Sequence, residues 1–387
     1  MIHIENNYIV AIRREIHQYP ETNFDLAKTV AVVKRELDSM QVPYTEQYGN
    51  GSVVGYIGPE KANFTIALRA DMDALDITEK TDIPYKSKNE GKMHACGHDA
   101  HTAILLGAAK ALKGMESDLR CRVKLLFQPI EEGLVKLAQM LCDNGAIDDV
   151  DVIVGLHVEN LLPAGMMGVC SGYSQASSRN FNIEIFGEST HATTPQQGVD
   201  ALRVAVQVYD DIQHFMRNKI DPSENCVCSV GALHAGKGQN NIADYAQLLG
   251  TIRAFDPDVD KTIIDSLEKS VKNRAEEAGA TWKVTAQWKT PSVYNHPKVS
   301  QLVRQAMIKV VGEENIGEMP VKLGAEDFSC YLQKIPGVLF RLGVRNPEKG
   351  LVYDTHTSYF QLDEEVLHLG SRTFVRFVLD NMDGISF

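Results

Sequence analysis

The stretch HACGHDAH, residues 94–101, crowds one cysteine and three histidines into eight positions. Thiolate and imidazole are the preferred ligands of zinc-like ions. His94, Cys96 and His98 alternate, so extended backbone there would aim them roughly the same way. A closed structural site would need a second C-x-x-C or H-x-x-H pair, and none follows nearby. The expectation is an open site completed by distant residues, with Cys96 and His98 as ligands and His94 and His101 in support. QPIEEG (128–133) contributes Glu131 and Glu132. Adjacent carboxylates repel unless something positive lies near. With a cation present, one can ligate while the other takes a proton from an activated water. GLHVEN places His157 on another strand, and DTHTSYF places His356 in a polar turn. Taken alone, His157 reads as structural and His356 as a weak signal.

Elements must bring these stretches together. NFTIALRADMDAL (63–75) begins as an apolar strand and ends in Asp71 and Asp73. VKLLFQP (123–129) is a buried strand stopped by Pro129, and VDVIVGLHV (150–158) is another. His101–Lys113 has an apolar stripe at helical spacing, with Asp99 placed to cap it. Strands alternating with helices imply an α/β fold with a mostly parallel central sheet, whose ligands gather at the carboxyl ends of the strands. Each of the three strands leads into candidate chemistry. From 178 to 290 the grammar changes to β-α-β-β-α-β, the order of an inserted ferredoxin-like α+β domain. Residues 1–177 and 291–387 then form the two parts of the catalytic domain.

Bulk properties exclude several classes. The net charge of −12 argues against nucleic-acid binding, which needs a basic footprint. No apolar run approaches the ~20 residues of a membrane span. The N-terminus shows no basic region followed by an apolar one, so no signal peptide is expected. Seven cysteines without repeated spacing do not read as a disulfide framework, which points to a cytoplasmic setting. Cys121, Cys142, Cys170 and Cys330 read as buried small hydrophobes. No G-x-G-x-x-G or P-loop stands at a strand–helix junction.

At these residues the chain resembles the metal-dependent aminoacylase and carboxypeptidase superfamily, in its branch of N-acyl-amino-acid and auxin-conjugate amidohydrolases. The matching stretches are RREIHQYPE (13–21), ALRADMDAL (67–75), MHACGHDAHTA (93–103), FQPIEEG (127–133), GLHV (155–158), GESTHATTPQQGVDA (187–201), GQNNIADYAQLLGTIR (238–253), GAEDFSCYL (324–332) and DTHTSYFQLDEE (354–365). The resemblance implies a metal-bearing α/β domain carrying an inserted dimerisation domain, and hence a homodimer. It implies that Cys96, His98, Glu132, His157 and His356 ligate two divalent ions, with Cys96 bridging. Zinc or manganese comes first, and cobalt or nickel would also be accepted. Glu131 becomes the general base, and Asp73 an acid that orients a ligand. His191 would stabilise the oxyanion, while Asn240 and Arg253 would grip the substrate's carboxylate end. The expected reaction is hydrolysis of an N-acyl amino acid to acid and amino acid. The competing readings are a dipeptidase or carboxypeptidase of the same superfamily, and a non-catalytic metal-binding protein.

Some positions depart from the family pattern. Leu134, Val135, Lys136 and Leu137 follow E-E-G where the family is glycine-rich, and Asp76 and Ala243 replace usual prolines. No expected ligand is lost. The loop beside Glu131 is the place to look for altered substrate choice.

Overall fold

The computed structural model describes residues 4–133 and 137–387, the side chains of 287–289 aside. In chain order its strands are β1 (Tyr44–Thr45), β2 (Val53–Ile57), β3 (Thr65–Asp71), β4 (Arg122–Gln128), β5 (Val152–Pro163), β6 (Met167–Gly168), β7 (Gly172–Gln175), β8 (Ser178–Phe186), β9 (Val227–Ala235), β10 (Tyr245–Arg253), β11 (Thr281–Thr290), β12 (Val293–Asn295), β13 (Ile316–Gly317) and β14 (Gly337–Arg345). The chain divides into two compact units. One comprises Met1–Gly172, Tyr294–Pro320 and Asp327–Phe387; the other comprises Tyr173–Val293 and Val321–Glu326. β7 and β12 make a small sheet of their own.

The first unit is built on a sheet of order β1-β2-β4-β3-β5-β14-β6-β13. Its centre, β4-β3-β5-β14, is parallel, and antiparallel pairs flank it. Every residue of β3 is buried, as the near-continuous apolar run TIALRAD leads one to expect of a parallel strand covered on both faces. The parallel register sets Asp71 beside Gln128 and Arg69 beside Gly155. The segments that follow β3 and β4 therefore leave the sheet at one edge, alongside His157 in β5. β5 runs on to Pro163, past the end at 158 read from the sequence.

Helices Asn6–His17, His98–Lys113 and Leu367–Asn381 pack on one another. Gly107 permits the approach: a Cβ there would meet Ile9 and Ser371 at 2.8 Å. The central helix begins at His98, three residues earlier than its apolar stripe suggests. Asp99 does not cap it. The N-cap is Gly97, and Asp99 sits in the first turn, fully buried, with Oδ2 at 2.7 Å from both Arg13 Nε and His17 Nδ1. A buried carboxylate gains more from a guanidinium and an imidazole than from one backbone N–H at a cap. His17 also approaches Glu79 at 3.4 Å, so the RREIHQYPE stretch ends in a buried charge network. Cys121, Cys142 and Cys330 are buried as expected, whereas Cys170 is only half-buried.

The second unit follows the split pattern. β8, helix Ala201–Asn218, β9, β10, helix Pro257–Ala278 and β11 succeed one another, and the sheet order is β11-β8-β10-β9, antiparallel throughout. Alternate residues Phe181, Ile183 and Ile185 of β8 face Val204, Val208, Ile263 and Leu267 in one apolar core. Asp200 and Asp256 cap the helices through the N–H groups of Arg203 and Asp258, and Gly279 closes the second helix in the left-handed region at φ 73°. The unit extends beyond 178–290 because Lys322 exchanges backbone hydrogen bonds with Ser174 and Ala176, at 3.0 and 2.9 Å. No helix among the described residues is long and apolar enough to cross a membrane.

Leu248 lies fully buried in β10 at the centre of this second core. Leu248→Ala should lower the unit's unfolding free energy by about 2–5 kcal/mol, read from urea denaturation. A loss within experimental error would show that the core is not packed as described.

Candidate metal centre

Gly97 sets the geometry of the first two donors. It sits at φ 91°, and a Cβ on it would approach Val158 Cγ2 to 2.5 Å. Only glycine satisfies both demands cheaply. The turn leaves Cys96 just before the central helix and His98 at its first position. Ala95 C=O accepts from His356 N–H at 2.8 Å, which stitches the C-terminal turn to this one. His356 itself is held at φ 62°, rare for a residue with a side chain, and strain of this kind collects at functional sites.

The donors converge. Cys96 Sγ lies 3.4 Å from His157 Nε2 and 3.3 Å from His356 Nε2. His356 Nε2 is 3.0 Å from Glu132 Oε1. Among the described residues, five sets of candidate ligand atoms each fall within 4.8 Å, and three of them contain only expected site residues: Cys96, His98 and His157; Cys96, Glu132 and His356; His98, Glu131 and Glu132. Cys96 belongs to two of these sets, as a thiolate shared by two ions would. Cys96, His98, Glu131, Glu132, His157 and His356 thus come together from four separate stretches of sequence.

Hydrogen bonds aim the rings. His157 Nδ1 donates to Val158 C=O at 2.6 Å, leaving Nε2 as the lone-pair nitrogen on the side of the sulfur. His98 Nδ1 meets Asp73 Oδ1 at 3.0 Å, and its Nε2 is buried without a hydrogen-bond partner. Glu132 Oε1 is likewise buried and makes no well-aligned hydrogen bond, despite its closeness to His356. Such orphaned buried atoms are costly unless something answers them. A cation between soft and borderline donors does so, and the residues fit one.

Asp73 organises the surrounding shell. Besides His98, its Oδ1 accepts from Glu131 N–H at 3.0 Å and its Oδ2 from Glu132 N–H at 2.9 Å. One carboxylate therefore orients a histidine donor and both members of the Glu pair. Burial raises its pKa, partly offset by the His98 hydrogen bond. Burial likewise pushes the Cys96 thiol up and the His157 imidazole down, holding both neutral in the protein alone. A divalent charge reverses the preference of the thiol. His101 plays a supporting part: its Nδ1 lies 2.6 Å from Asp71 Oδ1, and its Nε2 accepts from Val158 N–H at 2.9 Å. His94 points elsewhere, toward the His17 ring, and burial depresses its pKa to about 3. The alternation argument fails for His94 because the backbone is not extended there: Ala95 N–H donates to Met93 C=O at 2.9 Å, a tight turn about His94.

The residues expected in the inserted domain lie in the second unit. His191 is exposed, with Nδ1 at 2.7 Å from Thr193 Oγ1, and its segment bridges to Asn241. Asn240 C=O accepts from Ala192 N–H at 2.9 Å, so His191 and Asn240 are neighbours. Arg253 ends β10, partly buried. Leu134, Val135 and Lys136 of the divergent loop lie outside the described residues; Leu137 opens the helix Leu137–Asp143. The sequence reading missed Arg69, whose guanidinium donates to Asp71 at 2.7 Å from within β3. The available signal was a charged residue inside an otherwise apolar buried strand.

A thiol, three imidazoles and paired carboxylates at the strand ends of an α/β unit, in one chain with a split β-α-β unit, define a metal-dependent amidohydrolase of the metallopeptidase kind. The chain belongs to peptidase family M20/M25/M40, whose model matches residues 67–380. It is 36% identical to thermostable carboxypeptidase 1 of Saccharolobus solfataricus over 94% of this chain and 93% of that protein. It is 37% identical to the IAA-amino acid hydrolase ILR1-like 4 of Arabidopsis thaliana, over 94% of this chain and 83% of the other. Among solved structures, the YXEP protein of Bacillus subtilis, described as a dinuclear metal binding peptidase, superposes with a TM-score of 0.87 at 29% identity, over 98% of this chain and 99% of that one.

Gly97→Ala tests the turn. A side chain in the left-handed region costs about 1–2 kcal/mol before any clash with Val158, so both thermal stability and metal affinity should fall. Titration calorimetry showing unchanged affinity would mean that the turn does not set the donors.

Proposed function

We propose that the protein hydrolyses the amide bond of N-acylated amino acids, releasing acid and amino acid, with Glu131 as general base. The observation that carries this reading is the shared anchor. Asp73 holds the backbone N–H groups of Glu131 and Glu132 and the His98 ring at once, and the Glu131 carboxylate lies within 4.8 Å of ligand atoms of His98 and Glu132. In this reading Cys96, His98, Glu132, His157 and His356 would hold two divalent ions, zinc or manganese first. Those ions, when bound, supply Lewis acidity and an acidified water. Glu131 takes the proton of the attacking water and returns it to the leaving nitrogen. His191, Asn240 and Arg253 keep the roles that the family resemblance implies, on the oxyanion and the carboxylate end.

The relative named as an IAA-amino acid hydrolase supports an acyl amino acid as substrate. The carboxypeptidase relative supports the second reading, a peptide-bond substrate. Turnover of N-acetyl, benzoyl and indoleacetyl amino acids should exceed that of dipeptides and blocked peptides. The reverse order would select the second reading. Glu131→Gln should keep its full complement of metal by elemental analysis and lose about 10²–10⁴-fold in turnover. Substantial activity in a metal-loaded Glu131→Gln protein would remove Glu131 from the role of base.

A homodimer formed through the second unit belongs to the same reading. Leu202, Val206 and Tyr209 recur at helical spacing on Ala201–Asn218 and are 41%, 45% and 38% exposed, an apolar stripe that a second copy would cover. A cytoplasmic setting is part of it too, supported by seven free cysteines. Light scattering should give twice the chain mass for the wild type and the chain mass for Val206→Glu. A monomeric wild type would contradict the dimer.

A further inference from the structure

The motif GAEDFSCYL contains Asp327, to which the mechanism above gives no task. Asp327 is buried, and its carboxylate is surrounded by donors. Oδ1 accepts from Arg69 Nη2 at 3.0 Å and from Gln128 Nε2 at 2.9 Å. Oδ2 accepts from Gln128 Nε2 at 2.8 Å and from Ala138 N–H at 3.2 Å. Gln128 is the last residue of β4, and Ala138 lies in the first turn of the helix Leu137–Asp143. One side chain thus grips the chain on both sides of the stretch that carries Glu131 and Glu132. The backbone N–H of the same residue donates to Glu131 Oε1 at 3.3 Å.

The partners are themselves fixed. Gln128 Nε2 also donates to Ile130 C=O at 2.7 Å, and Gln128 Oε1 accepts from Arg69 Nε and Tyr331 OH, both at 2.9 Å. Arg69, 1% exposed, donates its remaining arm to Asp71 at 2.7 Å, and Asp71 holds His101. A single buried guanidinium therefore joins the acid behind the histidine side of the site to the acid behind the glutamate side. Charge-assisted bonds of this kind are short, directional and expensive to leave half-made.

We propose that Asp327 is a positioning residue for the general base: it holds Gln128 on one side of Glu131 and Glu132 and Ala138 on the other, and steers the Glu131 carboxylate through its own amide, without touching substrate. The proposal rests on the assignment of Glu131 as base. If Asp327 served only to neutralise Arg69, its loss would lower global stability and leave the segment and the turnover number alone.

The test uses the full chain loaded with saturating zinc, in wild-type, Asp327→Asn and Asp327→Ala forms. Asn keeps the shape and one acceptor oxygen; Ala removes both. Amide hydrogen exchange should accelerate by at least ~10-fold in Leu137–Asp143 in the Ala form, the equivalent of losing one charge-assisted hydrogen bond. Exchange in the helix His98–Lys113 should stay as in the wild type. Metal content should be unchanged, and kcat on an N-acetyl amino acid should fall about 100-fold with KM little altered, the signature of a displaced catalytic group. Asn should fall between Ala and wild type, and it carries the same readouts if the Ala form does not fold. Unchanged exchange overturns the proposal, as does faster exchange with kcat intact, or a loss of activity that merely tracks loss of metal. The exchange arm needs no substrate. A wild type inert toward acyl amino acids would thus sink the substrate reading while exchange still decides whether Asp327 holds the segment.

Discussion

A carboxylate removed from water must have its oxygens answered by donors, and at Asp73 those donors are parts of the site itself. The ring of His98 and the backbone N–H groups of Glu131 and Glu132 converge on it. Because the acid is buried, none of these bonds can be exchanged for water without loss. The separation between the histidine donor and the glutamate pair is therefore set by the reach of one side chain. The sulfur, the His157 and His356 rings and the Glu132 oxygen arrange themselves around that fixed distance.

The centre carries more buried ionisable groups than a hydrophobic core tolerates. Asp71, Asp73, Cys96, His98 and His101 are all buried, and balance comes from a few fixed contacts. Arg69 answers Asp71 and Asp327; Arg13 and His17 answer Asp99. Burial opposes ionisation of Asp71, but the nearby His98, Arg69 and His101 outweigh it and hold its pKa well below the usual carboxylate range. Among the buried polar atoms these contacts leave without a hydrogen-bond partner, His98 Nε2 and Glu132 Oε1 lie where the candidate ligand atoms gather. The electrostatic imbalance and the donor geometry point to the same place, which is the physical content of calling it a metal centre.

The sheet explains how so much chemistry reaches one edge. Parallel strands direct their carboxyl ends the same way, so the segments after β3 and β4 lie beside each other, with His157 in neighbouring β5. Helices on one another behind the sheet hold Gly97 and the start of the central helix at that edge. The second unit has its own apolar core and its own helix caps.

Much of this was legible in the linear chain. The apolar runs of β3, β4 and β5, the β-α-β-β-α-β order and the donor types of HACGHDAH and QPIEEG are local properties. Period, residue chemistry and turn signals betray them without knowledge of neighbours. Other features depend on who lies opposite. Asp99 looked like a cap because its own segment offers only an N–H, whereas the fold brings Arg13 and His17 from the first helix. His94 shares the spacing of Cys96 and His98, yet a tight turn closed between Met93 C=O and Ala95 N–H breaks the alternation at His94 itself. Asp327 could not be read at all, since its partners lie at 69, 128 and 138. The sequence by itself determined which elements form and which donors are available. Tertiary structure alone decided which donors meet, because the direction of a buried side chain is set by distant groups that satisfy its charge and its hydrogen bonds.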